Sequence, residues 1–487
     1  MTAPPNSSKF SATDLSNRSH CYFPEMQPIS KERIDDRINF SRASGVPHWH
    51  ASVEHGMVPL PHTRSQEKFM IKKRWGLALA TAVVASLALS GCSPSASEPK
   101  GPVTLNYWDF LDPSQANPRS SALKENIAKF EEANPDIKIN LSVVSLGDML
   151  NRLPQAAAAG QAPDVFKMYT PVVPQMASAG VYSPLPDAAS KVTDWLRPTD
   201  TLAGPDGKKV AVPYEYRTCA LYYNQKILSQ IGAAVPTTYD QVVDVARKAA
   251  AAGFTGFGTG FSDTDNSAII STFFNCFMSQ VDQDIWNKDG QADFATSKGN
   301  EFGEFLAKLR DAKALGSNVV SDTYGTVADG MASGTVAMAI LGTERAVSFG
   351  KQNPDLKWTA LPKASTGDTT GTTIGWTLGI GNGSKNTEAA WKFIEYMTGP
   401  EAGARMATGG EVPTRAATYE QPFFTSPEAK TVNDIAAYVK SNSEPRTYST
   451  TWTALATGLS QAGQKLTLNG SSGSDFIRSA QDAANKK

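Results

Sequence analysis

Past residue 62 this chain has no histidine. All five (His20, His48, His50, His55 and His62) fall in the opening stretch of a 487-residue sequence. Their absence elsewhere removes histidine-dependent triads, imidazole acid–base catalysis and histidine-ligated zinc from the bulk of the protein. Catalysis by carboxylates alone stays open. Cysteine is nearly as scarce, with Cys21, Cys92, Cys219 and Cys276 as the full complement. There is no excess of positive charge: 46 Lys and Arg stand against 47 Asp and Glu, a net charge of −1. No basic run stands out, so nucleic-acid binding is not expected. No internal repeat is visible.

What is present begins with a processing signal. Lys72, Lys73 and Arg74 form a cationic head, followed by a mostly apolar run from Trp75 to Leu89. That run is short for a comfortable bilayer span, and it ends in small residues, so residues 70–91 read as an export signal rather than an anchor. The closing Leu89-Ser90-Gly91-Cys92 resembles the lipobox of bacterial lipoproteins. The resemblance implies that Cys92 receives a diacylglycerol and becomes the first residue of the mature protein. Acylation by more than one chain gives a lasting membrane anchor. Residues 1–69 then read as a doubtful N-terminal extension. Either translation begins near Met70 or the segment is a polar, disordered leader. Residues 92–102, rich in Ser, Pro, Ala and Glu, read as a flexible tether.

Folding signals start at Val103. Val103, Leu105 and Tyr107 alternate with polar residues, and Ile137, Ile139, Leu141 and Val143 do the same, so both stretches predict strands. Leu123, Ile127 and Phe130 lie between them at helical spacing, with Asn134-Pro135 as a stop. A helical stretch over 147–159 and a strand over 165–168 complete a β-α-β-α-β rhythm, the pattern of a parallel sheet covered by helices. A second α/β segment follows Tyr214. Leu221–Asn224 reads as a strand, and Thr238 with Gln241 forms a capping box before a helix. Phe302, Phe305, Leu306 and Leu309 mark another helix. Strands are predicted over 335–341, 356–361 and 376–380, and helices over the tail after Tyr419. Gly256-Phe257-Gly258-Thr259-Gly260 lacks the following lysine of a phosphate loop and reads as strand and turn.

Several short motifs recur in an order that resembles the sugar- and oligosaccharide-binding (family 1) extracellular solute-binding proteins of ABC importers. They are Asn134-Pro135-Asp136-Ile137, Ala162-Pro163-Asp164-Val165, Val212-Pro213-Tyr214, Leu221-Tyr222-Tyr223-Asn224, Pro236-Thr237-Thr238-Tyr239, Val336-Ala337-Met338 and Ser384-Lys385-Asn386 before Ala389-Ala390-Trp391. The resemblance implies an α/β fold of two lobes, each a sheet flanked by helices, joined by a hinge. Lobe 1 would comprise 103–213 with 361–403, and lobe 2 would comprise 214–360 with 404–487. It further implies a monomeric, non-enzymatic receptor without cofactor or metal, lipid-anchored on the extracytoplasmic face of the cell membrane. Such a receptor takes a carbohydrate into the interlobe cleft and passes it to permease subunits powered by a cytoplasmic ATPase.

The candidate ligand contacts follow from position. Ligands sit beyond the carboxyl ends of parallel strands, which nominates Trp108 and Asp109 after the first strand and Tyr169 after the third. An indole face suits the C–H face of a sugar and a carboxylate accepts hydroxyl hydrogen bonds. The alternative reading of both Trp108 and Trp376 is core packing. Tyr214, Glu215 and Arg217 lie at the first crossing; Glu215 and Arg217, two apart on a strand, share a face. Their alternative role is a salt bridge between lobes. Glu344 and Arg345 follow a strand at a place where similar proteins often carry a tryptophan, which favours hydrogen bonding over stacking there. Similar proteins also bring the loop of Glu411 and Arg415 near the cleft, while Asp164 either reaches the cleft or braces a turn. Cys219 and Cys276 form either a disulfide or two buried thiols. Two other functions stay in view: the same fold holding an anionic solute such as a sugar phosphate or uronate, and a surface glycoside hydrolase using paired carboxylates.

Overall fold

The computed structural model describes residues 102–197, 202–280, 285–365, 369–446 and 448–486. The export signal, Cys92 and the extension before it lie outside the described residues. Cys92–Lys487 forms one compact unit, and among its described residues no helix is long and apolar enough to cross a membrane.

The first half follows the predicted rhythm: β1 (Val103–Asp109), α1 (Pro118–Ala133), β2 (Ile137–Val143), α2 (Leu146–Ala158), β3 (Val165–Tyr169) and α3 (Val173–Ser178). α1 starts where Asn117 accepts the Ser120 amide, with Pro118 in the first turn, and ends at Asn134. Both features spare orphan backbone groups at helix ends. β1 pairs in parallel with β2 and with β3. The chain then lays down β4 (Ala211–Arg217) and β5 (Cys219–Asn224), α4 (Gln225–Gln230), α5 (Tyr239–Ala251), β6 (Thr255–Gly258) and α6 (Asn275–Gln280). Thr238 caps α5 as predicted, accepting the Gln241 amide, although the Gln241 side chain accepts from Thr237 rather than from Thr238.

α7 (Ser297–Asp311), α8 (Tyr324–Ser333), β7 (Val336–Gly342), α9 (Arg345–Gln352) and β8 (Leu356–Thr359) complete the second α/β layer. β9 (Gly371–Ile380), α10 (Thr387–Met397), α11 (Pro400–Ala407), α12 (Lys430–Asn442), β10 (Ser443–Pro445), α13 (Trp452–Asn469) and α14 (Gly473–Ala484) follow. The three-residue β10 interrupts a tail that the sequence reads as helical.

These strands build two sheets, the cores of two lobes. One has six strands in the order β10-β9-β3-β1-β2, with β4 also on β9; the other has four, β6-β7-β5-β8. The crossings fall later than the motif pattern implied. β4 stays antiparallel to β9 up to the Arg217–Ile374 pair, and Cys219 already pairs with Gly342 of β7. The first change of sheet is therefore at Thr218 rather than at 213. The return comes at Gly371 rather than near Leu361, because β9 needs ten residues to serve β10, β4 and β3 in turn. Ala404 lies within α11, which packs on α1; Asn126 donates to the Ala402 carbonyl at 3.2 Å. The last helices do join the second lobe: Phe302 and Phe476 have ring centroids 5.8 Å apart.

Cys219 and Cys276 form a disulfide, with Cα atoms 6.4 Å apart. It ties the first residue of the second sheet to α6. Thr218 donates to the Thr372 carbonyl at 3.0 Å, so both crossings are stitched together at this point.

Candidate functional site

The carboxyl ends of β1 and β3, the bulged strand β4 and the start of β9 converge on one buried cluster. β1 alternates as predicted, which sends Tyr107 and Asp109 to one face and Trp108 to the other. Asp109 accepts from Tyr107 Oη at 2.5 Å and from the Leu111 amide at 3.0 Å. Lys167, from the middle of β3, brings its ammonium to 3.9 Å from Asp109 and 3.8 Å from Glu411. The same ammonium lies 4.4 Å from the ring centre of Tyr214, 4.6 Å from Phe110 and 5.7 Å from Trp376. Phe110 and Trp376 are themselves stacked at 4.2 Å.

A register shift between Pro213 and Glu215 lets the consecutive residues Tyr214 and Glu215 both reach the cluster. Gly375, opposite, has φ 150°, and a Cβ there would lie 1.9 Å from the Glu215 carbonyl oxygen. Only glycine permits that approach. Glu215 takes Arg217 Nε at 2.8 Å, and Arg217 Nη1 reaches across to Glu344 at 3.3 Å. The salt-bridge reading of Glu215 and Arg217 is met, with Arg217 joining the two sheets through Glu215 and Glu344. Arg119, in the first turn of α1, gives two hydrogen bonds to Glu411 Oε1 at 2.6 and 2.9 Å and lies 3.7 Å from Glu215.

The second lobe contributes the corner between β7 and α9. Glu344 accepts from Tyr324 Oη at 2.5 Å and sits 3.8 Å from Arg345, whose guanidinium covers the Tyr324 ring at 5.0 Å. The Glu344 carboxylate folds back over Gly342, where a Cβ would meet it at 2.1 Å.

Burial and ion pairing set the charge states. Burial pushes the Glu215 carboxyl up, against the pull of Arg217, and Glu411 adds to the rise. Burial also opposes ionisation of Glu344, but Arg217, Arg345 and the Tyr324 hydroxyl more than offset it and the group stays below its ordinary range. Glu411 is lowered in the same way, burial being outweighed by Lys167 and Arg119. The cluster holds four carboxylates (Asp109, Glu215, Glu344, Glu411) and four cations (Arg119, Lys167, Arg217, Arg345). Its formal charges cancel.

Of the residues nominated from sequence, Asp109, Tyr214, Glu215, Arg217, Glu344, Arg345 and Trp376 come together here. Tyr169 joins at the edge, its ring 5.6 Å from that of Trp376. Trp108 does not. It is half-buried on the opposite face of β1, with Arg152 of α2 at 4.9 Å. Asp164 braces a turn, accepting from the Asn106 amide, Ser384 and Asn386. Glu411 is in the cluster, whereas Arg415 pairs with Asp194 over Trp195. Sequence reasoning missed Phe110, Arg119, Lys167 and Tyr324. Lys167 had a legible signal, a lysine inside an otherwise apolar strand, since lysine is almost never buried without purpose. A small cavity next to Tyr214 and Glu411 is lined also by Met397, Met406 and Pro413; it faces α10 and α11, away from Glu344 and Trp376.

The profile of the bacterial extracellular solute-binding protein family matches residues 114–404. The chain belongs to this family. Escherichia coli (strain K12) YcjN, named as an ABC transporter periplasmic-binding protein, is 25% identical over 343 residues, covering 67% of this chain and 75% of YcjN. The multiple sugar-binding protein of Streptococcus mutans is 24% identical over 328 residues, 64% of this chain and 76% of that protein. Among solved structures, the GacH receptor of Streptomyces glaucescens, studied unliganded and with acarbose, superposes with a TM-score of 0.65 at 22% identity. The match covers 79% of this chain and 98% of GacH. Maltose-bound MalE3 of T. maritima gives 0.67 at 19% identity, covering 78% and 99%. This solute-binding protein therefore shares their two-lobed fold.

Proposed function

We propose that this solute-binding protein captures a sugar or small oligosaccharide at the cluster between its lobes and hands it to an ABC permease. One observation carries the reading. Among the described residues, buried donors and acceptors sit unspent: Lys167 Nζ, Tyr214 Oη and Trp376 Nε1 have no hydrogen-bond acceptor, and Glu215 Oε2, Glu344 Oε2 and Glu411 Oε2 have no donor. A hydroxyl both donates and accepts, so a polyhydroxylated guest uses both sets at once. The rings of Phe110, Tyr214 and Trp376 offer apolar faces beside them. The S. mutans relative is named for binding sugars, and the fold neighbours hold maltose or acarbose.

An anionic guest is less well supported. Of the two residues that pointed to one, Arg217 is committed to Glu215 and Glu344, and Arg345 lies 3.8 Å from the Glu344 carboxylate, which offsets its charge. The export signal, Cys92 acylation and extracytoplasmic anchoring belong to the same proposal and rest on the lipobox. So do the monomeric state and the lack of enzymatic activity, which rest on the family.

Titration calorimetry with maltose, maltotriose, mannobiose, raffinose, glucuronate and glucose 6-phosphate tests the reading. A neutral member should bind and be recovered chemically intact. Hydrolysis of the oligosaccharides would replace the receptor by a glycosidase, and preference for the acids would replace the neutral guest.

A further inference from the structure

Lys167 is the odd member of the cluster. Its side chain is 0% exposed, and a buried ammonium carries three N–H groups that want acceptors. Among the described residues none is within reach. The nearest carboxylate oxygens, on Asp109 and Glu411, are 3.9 and 3.8 Å away, too far for hydrogen bonds. The remaining walls around it are the rings of Phe110, Tyr214 and Trp376. These satisfy charge but not hydrogen bonding. Lys167 lowers the Glu411 carboxyl by its charge, but Asp109 and Glu411 draw their hydrogen bonds from other donors. Asp109 is held by Tyr107 and the Leu111 amide, and Glu411 by two bonds from Arg119. A purely structural lysine would be drawn into contact with one of them. This one is held between the rings, its donors unspent beside the equally unspent Tyr214 hydroxyl and Trp376 indole N–H.

We propose that Lys167 is a guest-binding residue that donates to an uncharged oxygen of the solute, a hydroxyl or ring oxygen, and so selects neutral sugars over acidic ones. The inference rests on the sugar-binding reading above and assigns a role within it. Two flanking carboxylates already compensate the ammonium, so a carboxylate or phosphate on the guest would meet Asp109 and Glu411 as like charges. A hydroxyl meets no such repulsion, and its own hydrogen is placed to be accepted by Glu411 Oε2 or Glu215 Oε2, both without donors.

Three forms of the full chain distinguish the possibilities: wild type, Lys167→Met, which keeps length but no donor, and Lys167→Gln, which keeps a donor without charge. Calorimetry uses maltose, maltotriose, mannobiose and raffinose, with glucuronate and glucose 6-phosphate as acids; melting temperature and circular dichroism are followed in parallel. The expected result is a loss of at least tenfold in affinity for the best neutral sugar in Lys167→Met, and recovery to within threefold of wild type in Lys167→Gln. Equal affinity in wild type and Lys167→Met overturns the proposal. So does an equal loss in both variants tracking their melting temperatures, or failure of both to fold, since each makes the lysine structural. Tighter binding of an acid than of any neutral sugar by wild type also overturns it. If wild type binds no member of the panel, the sugar reading falls, and this inference with it. A sugar bound by wild type with unchanged strength in Lys167→Met removes the inference alone.

Discussion

The two walls of the cluster are built differently. The first lobe supplies Asp109, Arg119, Lys167, Glu215 and Glu411 from five separate segments, cross-linked into a network in which the side chains of Asp109, Lys167 and Glu215 are 0% exposed. The second supplies Tyr324, Glu344 and Arg345 from one helix start and one strand–helix corner, and Arg345 is 34% exposed. A wall tied from many elements is preorganised, whereas a single corner is free to move as a unit with its sheet. Hinge closure around a ligand is an established motion for such folds; under the proposed function the first lobe would be the platform and the second the jaw. Arg217 joins them, held by Glu215 on one side and Glu344 on the other.

The sharpest way to break that contrast is to remove one cation from each wall. Arg119→Met strands the Glu411 carboxylate and should cost about 3–5 kcal/mol of unfolding free energy, the usual result of splitting a buried pair. Arg345→Met, on the exposed side, should cost about 1 kcal/mol or less. Urea unfolding measures both; equal losses would erase the distinction between platform and jaw.

The next effect concerns the two tryptophans, one in the first wall and one outside it. Trp376 contacts Phe110 and the Lys167 ammonium, and Trp108 faces Arg152 on the far side of β1. For whichever sugar binds, Trp376→Leu should weaken affinity about tenfold, equivalent to ~1.4 kcal/mol. Trp108→Leu should change it by less than about threefold. A reversed order in calorimetry would move the guest to the other face of the sheet.

These tryptophans also show what sequence can deliver. Period-two alternation located β1, and the rule about strand ends located the region, yet alternation itself divides Trp108 from Asp109. On a regular strand only one of two neighbours faces a given side, and the apolar alternation through Leu105 and Tyr107 puts Asp109, not Trp108, on the buried one. The strands and helices read from sequence were legible because they carry their own period and end signals, as at Thr238 and Asn134. The crossings were not, because Thr218 and Gly371 are decided by which strand β9 pairs with. Arg119 and Glu411 lie 292 residues apart, and no local pattern couples them. The disulfide stood as one of two options until the Cα–Cα distance of 6.4 Å was known.

The link between the walls is probed by the pH dependence of stability. Glu344 has a folded pKa below its unfolded value, so its contribution is present above the unfolded value, about 4.3, and fades as pH falls through the folded one. Glu215 is raised, so its sign is opposite: it favours the folded state below the unfolded value, and that advantage is lost as pH rises through the folded pKa. Burial works against the Glu215 charge, while Arg217 works for it. Glu344→Gln should destabilise by about 1.5–3 kcal/mol at pH 7, as loss of charge-assisted hydrogen bonds does, and the defect should shrink towards pH 4. Glu215→Gln keeps an acceptor for Arg217 and should alter stability at pH 7 by less than about 1 kcal/mol, with either sign compatible with neutralising a buried charge. Unfolding curves at the two pH values decide it. A larger loss at pH 7 for Glu215→Gln than for Glu344→Gln would mean that Arg217 is anchored by the platform alone, and that the jaw is not joined to it through this pair.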